Sequence, residues 1–340
     1  MTPMNSHPSA WMEVRPEGLY CRPADLFIDP VKPVPRAVVT HGHADHARAG
    51  HGTVYATPGT LAIMRCRFGD DHAGEQVALE YHETVAVGRA ELSLTPAGHI
   101  LGSAQAVLEC DTRIVISGDY KRSPDPTCAP FEPVPCDVFV TEATFGLPVF
   151  RHPPIEEEMG RLLASVAQFP ERCHLIGTYA LGKCQRVMLT LRSLGYQKPI
   201  YLHGALVRLC ELYEELGIEL GAWIAVNDVP DVSTLAGEIV LAPPAATADR
   251  WSRKFPDVLA GVASGWMQIR ARARQRRAEL PLVVSDHCDW RELLMTLQDV
   301  GAPEVWVTHG REEALVHQAE RLGFRARALS LLGYAEAETG

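Results

Sequence analysis

Residues 36–46 read Arg-Ala-Val-Val-Thr-His-Gly-His-Ala-Asp-His, a β-branched apolar run that breaks into three imidazoles and a carboxylate within six positions. A solvated loop has no use for so many metal-ligand groups. Neutral imidazole and carboxylate suit zinc, manganese or iron, and spacing this tight lets one turn present donors to two ions side by side. The fold must therefore bring a strand end, carrying His41, His43, Asp45 and His46, to a place where ions are held. Surface histidines near a strand end are the bland alternative, disfavoured by further donors later in the chain.

A chain of 340 residues exceeds the size at which one core usually keeps growing, so two domains, or one with a large insertion, are expected. Hydrophobic residues at 46% and charged residues at 22% exclude a disordered or fibrous chain. Met1 to Glu17 holds no apolar stretch and no run of 18 apolar residues occurs, so neither secretion nor a membrane partner is expected. Nine scattered cysteines without a Cys-x-x-Cys pair fit free thiols in a reducing cytoplasm. A net charge of -10 argues against polyanion binding over the whole surface, while leaving room for a local basic strip.

Short apolar runs between Gly, Pro and Asp breaks predict strands at 25–29, 37–40, 53–56, 91–95, 104–110, 112–117 and 137–141, with a helix at 59–68. The texture changes after Pro148. A helix from Ile155 to Phe169 is followed by a strand at 174–177, a helix at 181–194, a strand at 199–202 and a helix at 206–216. Such alternation predicts a parallel α/β unit. The expected division is a first core segment over 1–149, an inserted domain over 150–270 and a completing core segment over 271–340. In that last segment, strands at 280–285 and 304–308 alternate with helices at 290–299 and 312–322.

Further donors stand at strand ends: His99 in Ala97-Gly-His99 and Asp119 in Ser117-Gly-Asp119. With the opening cluster, this pattern resembles the metallo-β-lactamase superfamily, whose αββα sandwich holds two ions at one edge. Val140-Thr-Glu142-Ala-Thr-Phe-Gly, Val284-Ser-Asp-His287-Cys-Asp and Val307-Thr-His309-Gly-Arg are similar to the three extra motifs of its β-CASP nuclease branch. The inserted domain falls between the first and second of these, where that branch places its α/β cap. Leu19-Tyr-Cys-Arg-Pro-Ala-Asp-Leu-Phe-Ile-Asp-Pro and Ala263-Ser-Gly-Trp-Met look most like the bacterial ligase-associated DNA exonucleases.

The resemblance implies two divalent ions, zinc or manganese. His41, His43 and His99 would hold the first, Asp45, His46 and His309 the second, and Asp119 would bridge them. Asp29 matches the family's first aspartate, which braces the metal-binding loop from behind. His287 would protonate the leaving oxygen and Glu142 would orient it. The implied activity is hydrolysis of phosphodiester bonds in single-stranded DNA by an exonuclease of DNA repair, with a DNA ligase and helicase of the same system as partners. An RNA-processing ribonuclease shares the same catalytic groups, and a small-molecule ester or lactone hydrolase uses the parent fold.

Two stretches point to substrate handling. Arg270, Arg274 and Arg277 would share one face of a helix and could track phosphates, although a solvated helix has the same look. Gly177-Thr-Tyr-Ala-Leu-Gly-Lys183-Cys184 almost spells a P-loop, but Cys184 replaces the hydroxyl that would bind magnesium. ATP hydrolysis is therefore not expected; Lys183 at a helix start could contact a substrate phosphate, and a structural turn is the equal alternative.

Overall fold

The computed structural model describes residues 7–329. They divide into two compact units, one running up to Arg151 and resuming at His287, the other spanning His152 to Asp286. The fold is of the mixed α/β class.

The first unit opens with a six-stranded sheet in the order β1 (Met12–Arg15), β2 (Gly18–Cys21), β3 (Leu26–Ile28), β4 (Arg36–Val38), β5 (His51–Ala56) and β6 (Ala73–Ala78). The first three strands form an antiparallel meander, and pairing is parallel from β3 onward. Helix α1 (Pro58–Phe68) lies between β5 and β6; Thr57 caps it by accepting from the Thr60 amide, and Pro58 starts it. A second sheet begins with β7 (Thr84–Val87), β8 (Ala90–Pro96), β9 (Ala104–Glu109) and β10 (Arg113–Ile116), all antiparallel, before β11 (Val138–Ala143) joins β10 in parallel.

The second unit contains α2 (Ile155–Gln168), β12 (Cys173–Gly177), α3 (Lys183–Ser193), β13 (Ile200–Leu202), α4 (Gly204–Glu215), β14 (Trp223–Ala225), β15 (Ile239–Ala242), β16 (Val258–Ala263), α5 (Arg270–Gln275) and β17 (Leu280–Leu282). Its six strands are parallel throughout, in the order β14-β13-β15-β12-β16-β17. Every residue of the central strands β12 and β15 is buried, as a sheet covered on both faces requires.

The chain then returns to the second sheet of the first unit. It adds α6 (Trp290–Val300), β18 (Glu304–Gly310), α7 (Glu312–Arg321) and β19 (Arg325–Ala328), giving the order β19-β18-β11-β10-β9-β8-β7. Side-chain alternation along the strands explains the layering. Ile114, Ile116, Val138, Val140 and Trp306 pack against Leu26, Ile28 and Val38 of the first sheet. The residues between them, Val115, Phe139, Val305 and Val307, pack against Leu293 and Leu297 of α6 and Leu315 of α7. Leu61 and Met64 of α1 cover Val54 and Ala56 on the outer face of the first sheet. The unit is thus a helix-sheet-sheet-helix stack.

One expected core strand lies elsewhere. Leu280–Leu282 pairs with β16 at the edge of the second unit's sheet, so residues 271–286 belong to that unit and not to the completing core segment. Pro281 cannot donate to a strand beyond it, which suits an edge position. Among the described residues no helix is long and apolar enough to cross a membrane.

Candidate metal centre

The residue that organises the centre is Asp29, just past β3, where the backbone turns into the left-handed region at φ 43°. Its buried carboxylate accepts from the Thr40 amide at 2.7 Å, the Thr40 hydroxyl at 2.6 Å and His46 Nδ1 at 2.8 Å. An ionised carboxylate only accepts, so the Thr40 proton goes to Asp29 and its oxygen is left to accept from His41 Nδ1, 3.1 Å away. One aspartate therefore fixes the orientation of two rings and turns the Nε2 atoms of His41 and His46 toward Asp119. Replacing Asp29 by asparagine, which tolerates the same backbone, should lower metal affinity about 10- to 100-fold. Competition with a chelating dye measures this, and unchanged affinity would remove the bracing role.

The other donors arrive on strand ends. Asp119 follows β10 through Gly118, whose φ is 56° and whose added Cβ would sit 2.6 Å from the Thr40 hydroxyl oxygen; only glycine lets the two loops approach so closely. His99 lies in the turn after β8, where the Ser103 hydroxyl accepts from the amides of His99 and Ile100, both at 3.1 Å. His309 is the extra residue of a β-bulge in β18: Thr308 opposes Glu142 and Gly310 opposes Ala143. The bulge, with φ 58° at His309, aims its ring at the centre.

His41, His43, His99 and Asp119 form one group, and His46, Asp119 and His309 a second, with the donor atoms in each lying within 4.8 Å of one another. Asp119 belongs to both. Its Oδ2 lies 3.5 Å from His41 Nε2, 3.4 Å from His46 Nε2 and 3.8 Å from His99 Nε2, while Oδ1 lies 3.9 Å from His309 Nδ1. Asp45 falls outside the second group, but its Oδ2 is 3.8 Å from His46 Nε2. His41 Nε2 and Asp45 Oδ1 are buried and make no hydrogen bond. A ring lone pair facing a carboxylate, buried, is a costly arrangement that a cation between them relieves. The nitrogen and oxygen donor set fits zinc or manganese.

The titration behaviour has the same origin. Burial pushes His41 and His99 well below the ordinary histidine range, and His309 down to about 4. Burial also disfavours charge on His46, but Asp119, Asp45 and Asp29 outweigh it and hold that ring well above the usual value. Burial would raise Asp119, yet the charges of His46 and His287 keep it well below the carboxylate range. A metal ion at His46 must displace a proton at pH values below the raised one. Metal affinity should therefore fall as pH is lowered, by about tenfold per unit for one displaced proton. Calorimetry in buffers of different ionisation enthalpy should register proton release on metal addition; none would count against His46 as a ligand.

Beside the two groups, His287 Nδ1 lies 3.0 Å from each oxygen of Glu142. Glu142, on β11, is fixed in turn by the Tyr120 amide at 2.9 Å. The carboxylate orients the His287 ring, with Nδ1–H directed at it. Asp119, Glu142 and His287 also lie within 4.8 Å by their donor atoms, and the His287 ring centroid is 4.8 Å from that of His99. The supporting parts played by Thr40, Gly118 and Ser103 carried no recognisable signal in the sequence beyond their places beside the ligand positions.

No family model matches the chain. It is 28% identical to a protein named probable DNA ligase from Opitutus terrae, over 92% of this chain and 30% of that one. It is also 28% identical to ribonuclease TTHA0252 from Thermus thermophilus, over 92% of this chain and 89% of that one. A third relative, cleavage and polyadenylation specificity factor subunit 3 of Dictyostelium discoideum, is 29% identical over 51% of this chain and 27% of its own length. These relatives point to the β-CASP branch of the metallo-β-lactamase superfamily. The chain spans under a third of the Opitutus and Dictyostelium proteins. A crystal structure of an Enterococcus faecalis protein of unknown function shares the fold, with a TM-score of 0.57 at 14% identity over 87% of this chain and 79% of that one.

Away from this β-CASP-like centre, the cations singled out in the sequence are placed differently from expectation. Lys183 begins α3 but is buried, with its ammonium 3.3 Å from Asp286, so it does not present an exposed charge to a phosphate. Arg270 and Arg274 are exposed on α5, which ends at Gln275. Arg277 lies beyond it with φ 52°, so the three do not share a helix face.

Proposed function

We propose that the chain is a metal-dependent nuclease that hydrolyses phosphodiester bonds, acting as an exonuclease on single-stranded DNA in DNA repair, with residues 152–286 serving as its β-CASP cap. The observation that carries this reading is Asp119 shared between two donor groups, with the Glu142-His287 pair alongside. His41, His43, His99 and Asp119 would hold one divalent ion, and Asp45, His46, His309 and Asp119 the other, zinc or manganese. When bound, such ions supply Lewis acidity at the phosphoryl oxygens and make water a nucleophile at neutral pH. Asp29 and Thr40 hold the rings in place. Glu142 accepts from His287 Nδ1–H and favours the imidazolium, whose Nε2–H would give its proton to the departing sugar oxygen and leave the neutral ring held by Glu142, a contribution of about 10² to 10⁴ in rate. Exposed Arg270 and Arg274 are available to the substrate backbone.

Relatives named as ribonuclease and endoribonuclease support a nucleic-acid substrate over the small-molecule ester alternative. DNA is favoured by the Opitutus relative, aligned over 92% of this chain and named a probable DNA ligase. A ligase and helicase of the same repair system are the expected partners, in the cytoplasm. RNA processing is the second reading, favoured by the Thermus ribonuclease matched along 89% of its length. Incubating end-labelled single-stranded DNA, RNA and a chromogenic ester with the protein and manganese or zinc separates these. Stepwise shortening of DNA is expected; turnover of the ester alone would overturn the nuclease reading, and cleavage of RNA with DNA intact would move it to RNA.

A further inference from the structure

Cys184, which stands where a P-loop would carry its magnesium-binding hydroxyl, meets two other sulfurs inside the second unit. Its thiol donates to Met188 Sδ at 4.0 Å, and the Cys210 thiol of α4 donates to the same Sδ, also at 4.0 Å. The two thiols are themselves hydrogen-bonded. Cys184 and Met188 are four residues apart and so share one face of α3. All three side chains are fully buried, at 0% exposure. Gln185, equally buried, donates through Nε2 to Cys210 Sγ at 3.4 Å. Among the described residues no histidine, carboxylate or further cysteine converges on the two thiols.

A thioether is a weak acceptor, so both thiol protons are committed to poor bonds that point into the space between the sulfurs. An ion about 2.3 Å from each of three sulfurs, a usual metal–thiolate length, holds those sulfurs about 4.0 Å apart in one plane. That is the spacing of both edges that meet at Met188. Three sulfur donors without a fourth ligand suit soft, monovalent copper and do not suit zinc, which closes its structural sites with four. We propose that Cys184, Met188 and Cys210 form a trigonal site for cuprous copper within the second unit. Two S–H bonds break as two copper–thiolate bonds form, Met188 contributes a neutral lone pair, both protons pass to solvent, and copper stays monovalent. The loaded site carries one negative charge. Cys184 is the second residue of α3, where the helix dipole favours such charge, and the Gln185 amide already donates to Cys210. Without a cation, the adjoining Cys210 thiol and burial hold Cys184 well above the ordinary thiol range, so its proton stays in place.

The test uses the full chain, reduced and supplied with manganese for its histidine centre. Copper is delivered as the cuprous bicinchoninate complex by titration and, separately, by growth in copper-supplemented medium. One equivalent should pass from the dye to the protein with release of two protons. X-ray absorption at the copper edge should show three sulfur neighbours at about 2.3 Å and no imidazole nitrogen. Cys210→Ala should lose this copper and keep its manganese. Met188→Leu, a swap that packed interiors tolerate, should keep the melting temperature, show two sulfur neighbours, and give up copper at bicinchoninate concentrations that leave the wild type loaded. Nitrogen neighbours around copper, equal uptake by wild type and both variants, or no copper retained by either route would overturn the proposal and leave the three sulfurs as packing alone. The outcome is independent of whether the chain proves to be a nuclease.

Discussion

Replacing Asp119 by alanine should empty both donor groups at once and bring phosphodiester hydrolysis down by on the order of 10³-fold or more, since each ion contributes several kcal/mol of charge stabilisation. The expectation follows from geometry. Asp119 is the carboxylate common to His41, His43 and His99 on one side and His46 and His309 on the other. Without it, the first group keeps only imidazoles, which carry no negative charge, and the second keeps His46 and His309 with Asp45 as the one carboxylate nearby. Elemental analysis of the purified variant should show metal well below the wild-type content. Full activity at wild-type metal content would show that the two groups do not work through a shared carboxylate.

Removing the proton donor should have the opposite signature. His287→Ala should retain its metal and lose about 10²- to 10⁴-fold in turnover on DNA, the usual worth of a general acid. His287 stands 3.0 Å from Glu142 and belongs to neither imidazole group around Asp119. Because Asp119, Glu142 and His287 themselves converge within 4.8 Å, the alternative is that His287 is a ligand. Metal content decides between them: retention with lost turnover supports the acid, while parallel loss of both makes it a ligand.

Much of the centre was legible because its donors sit where strands end, and strand ends can be read from apolar runs followed by Gly, Asp or His. Val115 and Phe139, fully buried between sheet and helix, mark β10 and β11 as clearly in sequence as in space. The apolar Ile239–Ala242 has that contrast without being among the expected strands, whereas others lack it. Arg325–Ala328 alternates arginine and alanine at a sheet edge, and Ala73–Ala78 is interrupted by Gly74, Glu75 and Gln76 and only partly covered. Burial of their side chains does not specify them; pairing with a neighbour does. Leu280–Leu282 was visible as a strand, yet which sheet it joins depends on long-range pairing that no local pattern encodes. Lys183 shows the same dependence on distant pairing. A lysine at a helix start looks like an anion contact until Asp286, more than a hundred residues later, is found against it.

The most direct test is a crystal soaked in manganese, with anomalous scattering recorded from the metal. Two peaks are expected, one against His41, His43 and His99 and one against Asp45, His46 and His309, with a carboxylate oxygen of Asp119 reaching each. A single peak, or none with those rings turned to separate directions, would contradict the shared two-ion centre.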